Sequence, residues 1–545
     1  MLPAPCQESR RFRCLGVEFR YPMPRTRSYL AMVFCLLLAS QVHAAKVKPL
    51  PERIAALLSD PDLSRGFWGI EVVSLSAGRT LYAQNADKLF TPASNTKLFT
   101  TAAALALIGP DYKFHTTVET GGTLDRYGRL TGDVFLVGRG DPNLSGRELP
   151  YDLRTQRNDH PIEVLEHLAD ALVQKGVKYI DGDLIADDSY FAFERYGEGW
   201  SQDDLVWADG APVSALTIND NVVFVNILPA DRPGERAFVS VTPFADYYRL
   251  DNRIITTPAG TGRKIFINRE PGSTVLTLWG NMPVDDAGAN EALAIEDPAQ
   301  FAAQLFRSLL AKRGIAVYGN PRTRHTELAS LSTFSVTTIA PSRGGNDSQL
   351  RPLQVNAPLV LASYESKPLI EDVRVINKVS QNLHAEILLR LLGREKGTLS
   401  TVEGGLEVVR GFLTQAGILS DQYLFYDGSG LSRQNLVTPH ALVQLLRYAD
   451  SQPWGELYRN SLPIAGLDGS LFDRFNNTLR GRVYGKTGAL GGVKTLSGYA
   501  TTARGEKIAF AILSNNLNLP GKRVTDTIDR IVEAIVEDAA PVKSR

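Results

Sequence analysis

Three short motifs stand far apart but in a fixed order on this 545-residue chain: Ser94-Asn95-Thr96-Lys97, Ser380-Gln381-Asn382 and Lys486-Thr487-Gly488. If they serve one site, the fold must bring residues 94, 380 and 486 together. Most of the chain between the first two must then leave that domain and return to it. This requirement constrains the architecture more than any property of composition. Singly, the motifs are weak. At ordinary composition S-x-x-K and S-x-N each arise by chance about once in a chain this long. A second S-x-N does occur, at Ser514-Asn515-Asn516. K-T-G is rarer, at roughly one chance in ten per chain. Order and local setting carry the specificity.

The texture of the sequence fits a discontinuous domain. Pro51 to Leu58 reads as a short helix, and Trp68 to Val73 and Thr80 to Tyr82 as strands around the turn Ser76-Ala77-Gly78. Thr91-Pro92 opens a helix that carries Ser94. Leu98, Ala102, Leu105 and Ala106 give it an apolar stripe, and Gly109-Pro110 ends it. From about residue 112 to 355 the chain turns to Gly, Pro and short alternating strands: 113–119, 132–137, 179–186, 221–228, 263–268 and 273–280. Helices over 161–174 and 298–312 interrupt them. Ser342 to Ser348 reads as a flexible loop. Past about 356 the first texture returns, with helices over 376–392, 401–416 and 438–450 and strands over 499–503 and 508–514. A last helix lines up Val524, Ile528, Ile531, Val532, Ile535 and Val536 on one face. The expected fold class is therefore α/β and multi-domain. One domain is built from residues 46–111 and 356–545, and one or two mixed α/β domains are inserted over 112–355.

Ser94 and Lys97, three apart on a helix, share a face. A serine hydroxyl is a weak nucleophile until a base takes its proton. Lys97 can be that base if burial against the apolar stripe and the positive helix N-terminus lower its pKa. The same N-terminus offers a backbone N–H to an oxyanion. Taken alone, Ser94 capping a helix and Lys97 in solvent is the plainer reading. Ser380 and Asn382 open another helix near Lys378. A hydroxyl there can relay a proton between Lys97, the nucleophile and a leaving amine, and Asn382 can donate to and accept from an extended peptide. Alone, this too reads as a helix cap. Lys486-Thr487-Gly488 reads as a strand. Gly485 and Gly488 let another backbone approach, as strand addition of a peptide requires. Lys486 would set positive charge near a substrate carboxylate, with Thr487 adding a donor. All three motifs together, in order, leave little room for coincidence.

The set resembles the S-x-x-K, S-D-N and K-T-G elements of serine enzymes that react with penicillin, with Gln381 in place of the Asp. More widely, the chain resembles the class C low-molecular-mass penicillin-binding proteins, the D-alanyl-D-alanine carboxypeptidase/endopeptidase family. Gly140-Asp141-Pro142 with Leu144, Ala186-Asp187-Asp188-Ser189 with Phe191, Asp427 to Arg433 and Gly466 to Leu471 carry that likeness over most of residues 50–540. It implies a penicillin-recognising, β-lactamase-like catalytic domain with inserted domains. Ser94 would be the acyl-enzyme nucleophile, Lys97 its base, Ser380 and Asn382 the second element, and Lys486 the carboxylate binder. The backbone N–H groups of Ser94 and Ala489 would form the oxyanion hole, with Thr487 and Gly488 beside them. An acidic residue of the insert would contact a diaminopimelate amine, and Asp187 sits where that residue would lie. The implied partners are peptidoglycan stem peptides and β-lactams, with no cofactor and no metal. Two other readings compete. A serine β-lactamase is disfavoured by the long insert and by S-x-N rather than Y-x-N. A non-catalytic muropeptide-binding sensor would lose one of Ser94, Lys97 or Ser380, and none is lost. The seven histidines show neither H-x-x-x-H nor H-E-x-x-H spacing, which sets a metallopeptidase aside.

Arg25 and Arg27 precede an apolar run from Tyr29 to Ala39, and Val42-His43-Ala44 supplies small residues for cleavage. Residues 1–45 therefore read as an export signal, with Met23 a conventional start. Cys6, Cys14 and Cys35 all fall within it, so the mature chain would hold no cysteine and no disulfide. Its charge would be 53 basic against 57 acidic residues, too balanced for a nucleic-acid partner. No uncharged apolar run is long enough for a membrane span. A periplasmic location follows, and oligomeric state stays open.

Overall fold

The structure, a computed structural model, describes residues 48–149, 151, 160–331, 358–475 and 479–538. The signal-like segment, the three cysteines and the Ser342–Ser348 loop lie outside the described residues. From Leu50 onward the chain forms one compact unit.

Strands from the two ends of the chain build a single sheet. Phe67–Ser74 pairs antiparallel with Thr80–Gln84 on one side and with Lys507–Asn515 on the other. Val493–Thr501 and Val483–Leu490 continue the sheet, also antiparallel, to five strands. In Lys507–Asn515 successive side chains point to opposite faces, and both faces are covered. Ile508, Phe510 and Ile512 join the core beneath the last helix, while Ala509, Ala511 and Leu513 join the core of the large helical layer. The last helix, Gly521–Asp538, buries Val524, Ile528, Ile531, Val532 and Ile535 against the first of these cores. Each such side chain contributes about 1.5–3 kcal/mol on burial. The opposite face receives Thr96–Leu107 and Pro439–Asp450.

The middle region has its own sheets. One orders Pro321–Thr326, Leu184–Ala192, Val134–Val137, His115–Thr120 and Leu359–Glu365, with parallel pairs at one end and antiparallel pairs at the other. Two three-stranded sheets follow over residues 222–294. Two expectations change here. Leu359–Glu365 pairs with His115–Thr120, so the middle region takes its closing strand from beyond residue 356 and the return falls later than expected. The single strand expected over 179–186 is two: Tyr179–Ile180 and Leu184–Ala192 belong to different sheets. Gly182 lies in the break, where an added Cβ would stand 2.3 Å from the backbone of Gly132. The strands Phe238–Thr242, Arg249–Thr257, Ala289–Ala294 and Pro321–Thr326 were not expected; they are short or mostly half-exposed, so their apolar alternation is weak.

Candidate active site

The chain enters the site through Ala93, whose φ of 48° lies in the left-handed region, a conformation that costs a non-glycine residue energy. A short turn, Ala93–Asn95, runs into the helix Thr96–Leu107. Packing of Leu98, Ala102 and Leu105 draws Lys97 to 0 % exposure. Its Nζ lies 2.9 Å from Ser94 Oγ, 2.6 Å from Asn382 Oδ1 and 2.5 Å from the Ser429 carbonyl. Burial lowers the Lys97 pKa to about 8, although Asp427, Glu386 and Asp209 pull the other way. A neutral amine has two N–H bonds and one lone pair. With Asn382 Oδ1 and the Ser429 carbonyl accepting the two N–H bonds, the lone pair is left for the Ser94 hydroxyl.

The second motif lies at a break in the helix expected over 376–392, and Asn382 opens the part that follows, as expected of the motif. Leu369–Lys378 ends, Ser380 takes φ 67°, and Asn382–Lys396 begins. Gln381 at the N-cap donates from Nε2 to Asp220 Oδ2 at 3.2 Å. Asp220 is itself held by Arg147 at 2.5 Å and by His384 Nε2 at 3.0 Å, and His384 Nδ1 meets Asp372 at 2.6 Å. Burial pushes the His384 pKa down, but Asp372 and Asp220 outweigh it and hold it above the ordinary value. Asn219, Asp220 and Asn221 all have φ near 54°, so the turn is strained and closely packed. This accounts for Gln381 physically: a carboxylate here would face Asp220, whereas an amide can donate to it.

Ser380 Oγ accepts from Lys486 Nζ at 2.8 Å, and Lys486 also donates to the Thr487 carbonyl at 2.9 Å. Burial, then the charge of Lys97, holds the Lys486 pKa well below its usual value. Lys486 has 0 % exposure, and its nitrogen, expected to face a substrate carboxylate, is turned to these protein partners instead. Thr487 does face the cleft, its hydroxyl 2.7 Å from Ser470 Oγ. Gly488 allows the strand Val483–Leu490 to close on Ser94: an added Cβ would stand 2.8 Å from the Pro92 carbonyl and 3.1 Å from Ser94 N. Asn95 ties the two motifs, donating to the Lys486 carbonyl at 3.0 Å and to Thr495 Oγ1 at 2.8 Å. Lys378, near the second motif in sequence, is buried and bound to Asp468 and the Leu462 carbonyl.

Ser94, Ser380, Asn382, Thr487, Gly488 and Ala489 thus line one cleft of about 600 Å³. Asp187 is not among its walls. It is buried on the strand Leu184–Ala192, and its carboxylate is taken by Arg324. The acidic residues that do line the cleft are Asp203, Asp204 and Asp209, together with Arg433. Sequence reading missed these, and it missed Asp220, His384 and the Lys97-binding carbonyl of Ser429. The run Asp427-Gly428-Ser429-Gly430 was visible, but only as a family segment. Asn219-Asp220-Asn221 is a recognisable turn whose distant partner is not legible.

A model of the D-Ala-D-Ala carboxypeptidase 3 (S13) family matches residues 50–336 and 346–535, and the chain belongs to that family. It is 34% identical over 493 residues to a D-alanyl-D-alanine carboxypeptidase of Actinomadura sp. strain R39, covering 88% of this chain and 84% of that one. It is 25% identical over 466 residues to the D-alanyl-D-alanine carboxypeptidase DacB of Haemophilus influenzae, covering 82% and 85%. In fold it matches the crystal structure of penicillin binding protein 4 from Haemophilus influenzae with a TM-score of 0.72 at 23% identity, over 90% of this chain and 100% of that one. The penicillin-recognising fold expected from the sequence is the fold observed.

Proposed function

We propose that this chain hydrolyses the D-Ala-D-Ala end of peptidoglycan stem peptides through an acyl-enzyme on Ser94. One observation carries the reading: a buried lysine with a pKa near 8 whose nitrogen is held by Asn382 and Ser429 and lies 2.9 Å from the Ser94 hydroxyl. In this reading Ser94 Oγ attacks the carbonyl of the penultimate D-Ala as Lys97 takes its proton. The N–H groups of Ser94 and Ala489 stabilise the oxyanion. The C–N bond then breaks, the proton passes to the leaving amine, and water hydrolyses the ester. Ser380, bonded to Lys486, supplies the second proton path.

A peptide laid antiparallel to Val483–Leu490 has its C-terminus toward Thr487 and its N-terminal part running past Ala489 toward Arg433, Asp203 and Asp204. Thr487 then meets the terminal carboxylate. The acidic residues and Arg433 suit a third residue bearing both an ammonium and a carboxylate, the role expected of Asp187 from sequence. The same chemistry cuts a cross-link when the leaving amine belongs to a second stem peptide, which makes the protein an endopeptidase as well. β-Lactams acylate Ser94 by the same attack. Mass analysis of products from uncross-linked and cross-linked muropeptides tests both activities. Loss of one D-Ala, and conversion of dimers to monomers, are expected; intact substrates would contradict the reading.

The reading places the protein in the periplasm after removal of residues 1–45. No described helix is long and apolar enough to cross a membrane. N-terminal sequencing of exported protein should begin near Ala45; retention of the preceding residues would contradict export by cleavage.

A further inference from the structure

A second hollow, of about 540 Å³, opens beside the catalytic cleft, and Asp203 lines both. Asp203 belongs to the short helix Gln202–Val206, whose one side rims the cleft while Leu205, Val206 and the following Trp207 face the second hollow. The far wall is the turn after the strand Lys264–Asn268.

The floor is tied together by ion pairs and hydrogen bonds. Arg195 donates to Glu296 Oε1 at 2.7 Å and to its backbone carbonyl at 2.9 Å. Arg269, 5 % exposed, donates to Glu296 Oε2 and to the Leu205 carbonyl at 2.8 Å. Gly272 N–H donates to Glu296 Oε1 at 3.1 Å. These contacts join the far wall to the Gln202–Val206 segment. Two aromatic residues line the hollow: Tyr196, with the Arg195 guanidinium 5.5 Å over its ring, and Trp207, 38 % exposed. Gln202 and the pair Asn268 and Glu270, in which Asn268 Nδ2 donates to Glu270 Oε1 at 2.9 Å, bring planar polar groups to the same hollow. None of these residues takes part in the acyl transfer described above.

Amphipathic ring faces beside planar amide, carboxylate and guanidinium groups recognise a pyranose. The C–H face of the sugar lies on the aromatic ring, and its hydroxyl and acetamido groups pair with the planar ones. Position points the same way. A donor peptide antiparallel to Val483–Leu490 leads its N-terminal part toward Asp203. The amino-sugar chain that bears a stem peptide joins it at that N-terminus, about three residues or roughly 10 Å beyond the acylated D-Ala. We propose that this hollow is a saccharide subsite that takes the N-acetylated amino sugar attached to the stem peptide. The inference rests on the reading of the cleft as a stem-peptide site. It makes the natural substrate a glycan-borne peptide and gives the middle region a part in binding it.

The test compares a free pentapeptide ending in D-Ala-D-Ala with the same peptide on its N-acetylglucosaminyl-N-acetylmuramyl unit. The disaccharide should lower KM by roughly fivefold to tenfold, the scale of one aromatic contact. Trp207→Ala should abolish that advantage and leave kcat/KM for the free peptide unchanged, with the penicillin acylation rate and thermal melt as checks on the fold. A survival of the advantage in Trp207→Ala and in Asn268→Ala, or equal KM values in the unaltered protein, overturns the subsite. If neither peptide is cleaved, the proposed hydrolysis fails instead. Calorimetry with the peptide-free disaccharide then decides the subsite alone: binding that Trp207→Ala removes supports it, and no binding to the unaltered protein overturns it.

Discussion

The surroundings of Ser94 and the strand Leu184–Ala192 both bury charged side chains, but to different ends. Around Ser94, Lys97 and Lys486 are wholly buried, and each is bonded to a serine of the cleft wall. Among the described residues no carboxylate accepts from either nitrogen, and burial lowers both pKa values. On Leu184–Ala192, Asp187 is paired with Arg324 and Asp188 with His325. There each buried carboxylate is met by a cation, Asp187 by a half-exposed guanidinium and Asp188 by a mostly buried imidazole. Burial of a charge is thus no mark of catalysis by itself. What separates the two regions is whether the partner is another charge, which locks the group, or a hydroxyl, which the group can deprotonate.

Substitutions should divide along that line. The largest effect short of losing the nucleophile is expected for Lys97→Ala, which should slow acylation by benzylpenicillin by on the order of a hundredfold or more. Below pH 8 the unaltered enzyme should gain rate with rising pH, since the neutral amine is the base, and level off above its pKa of about 8. A flat profile from pH 6 to 9 would assign the base elsewhere. Lys486→Met removes the donor to Ser380 and should cost about tenfold to a hundredfold, equally for a peptide with a free C-terminus and for its amide. A loss confined to the free carboxylate would mean that Lys486 reaches the substrate after all. Gln381→Asp sets a carboxylate against Asp220 and should slow acylation by about tenfold through displacement of Ser380 and Asn382; an unchanged rate would make the Asp220 contact incidental. The smallest effect is expected for Asp187→Asn. It should lower stability by about 1 kcal/mol, visible as a lower melting temperature, with acylation changed less than about twofold. A larger catalytic loss would return Asp187 to the site.

The sequence made legible what local pattern determines. The apolar stripe behind Ser94, the strand over 508–514 and the helices over 298–312 and 438–450 all formed close to where they were read. The motifs were legible, and the fold brings Ser94, Ser380, Asn382 and Thr487 to one cleft. What stayed hidden depends on distant partners. The break at Ser380 is set by Gln381 meeting Asp220, more than a hundred residues away. Lys486, expected to reach a substrate carboxylate, is bonded here to Ser380, a partner 106 positions away in sequence. Leu359–Glu365 joined the middle region because His115–Thr120 offered it an edge. Asp187 was assigned by position in a motif, and only the neighbouring strand Pro321–Thr326 reveals the guanidinium that claims it.

The claim on which the rest depends is that Ser94 is the acylated atom's residue. Intact-protein mass spectrometry after incubation with benzylpenicillin measures it directly, with peptide mapping to locate the adduct. One added drug mass on the peptide that holds Ser94, and none in Ser94→Ala, is the result expected. An adduct that persists in Ser94→Ala, or that maps to Ser380 or Ser429, would contradict it.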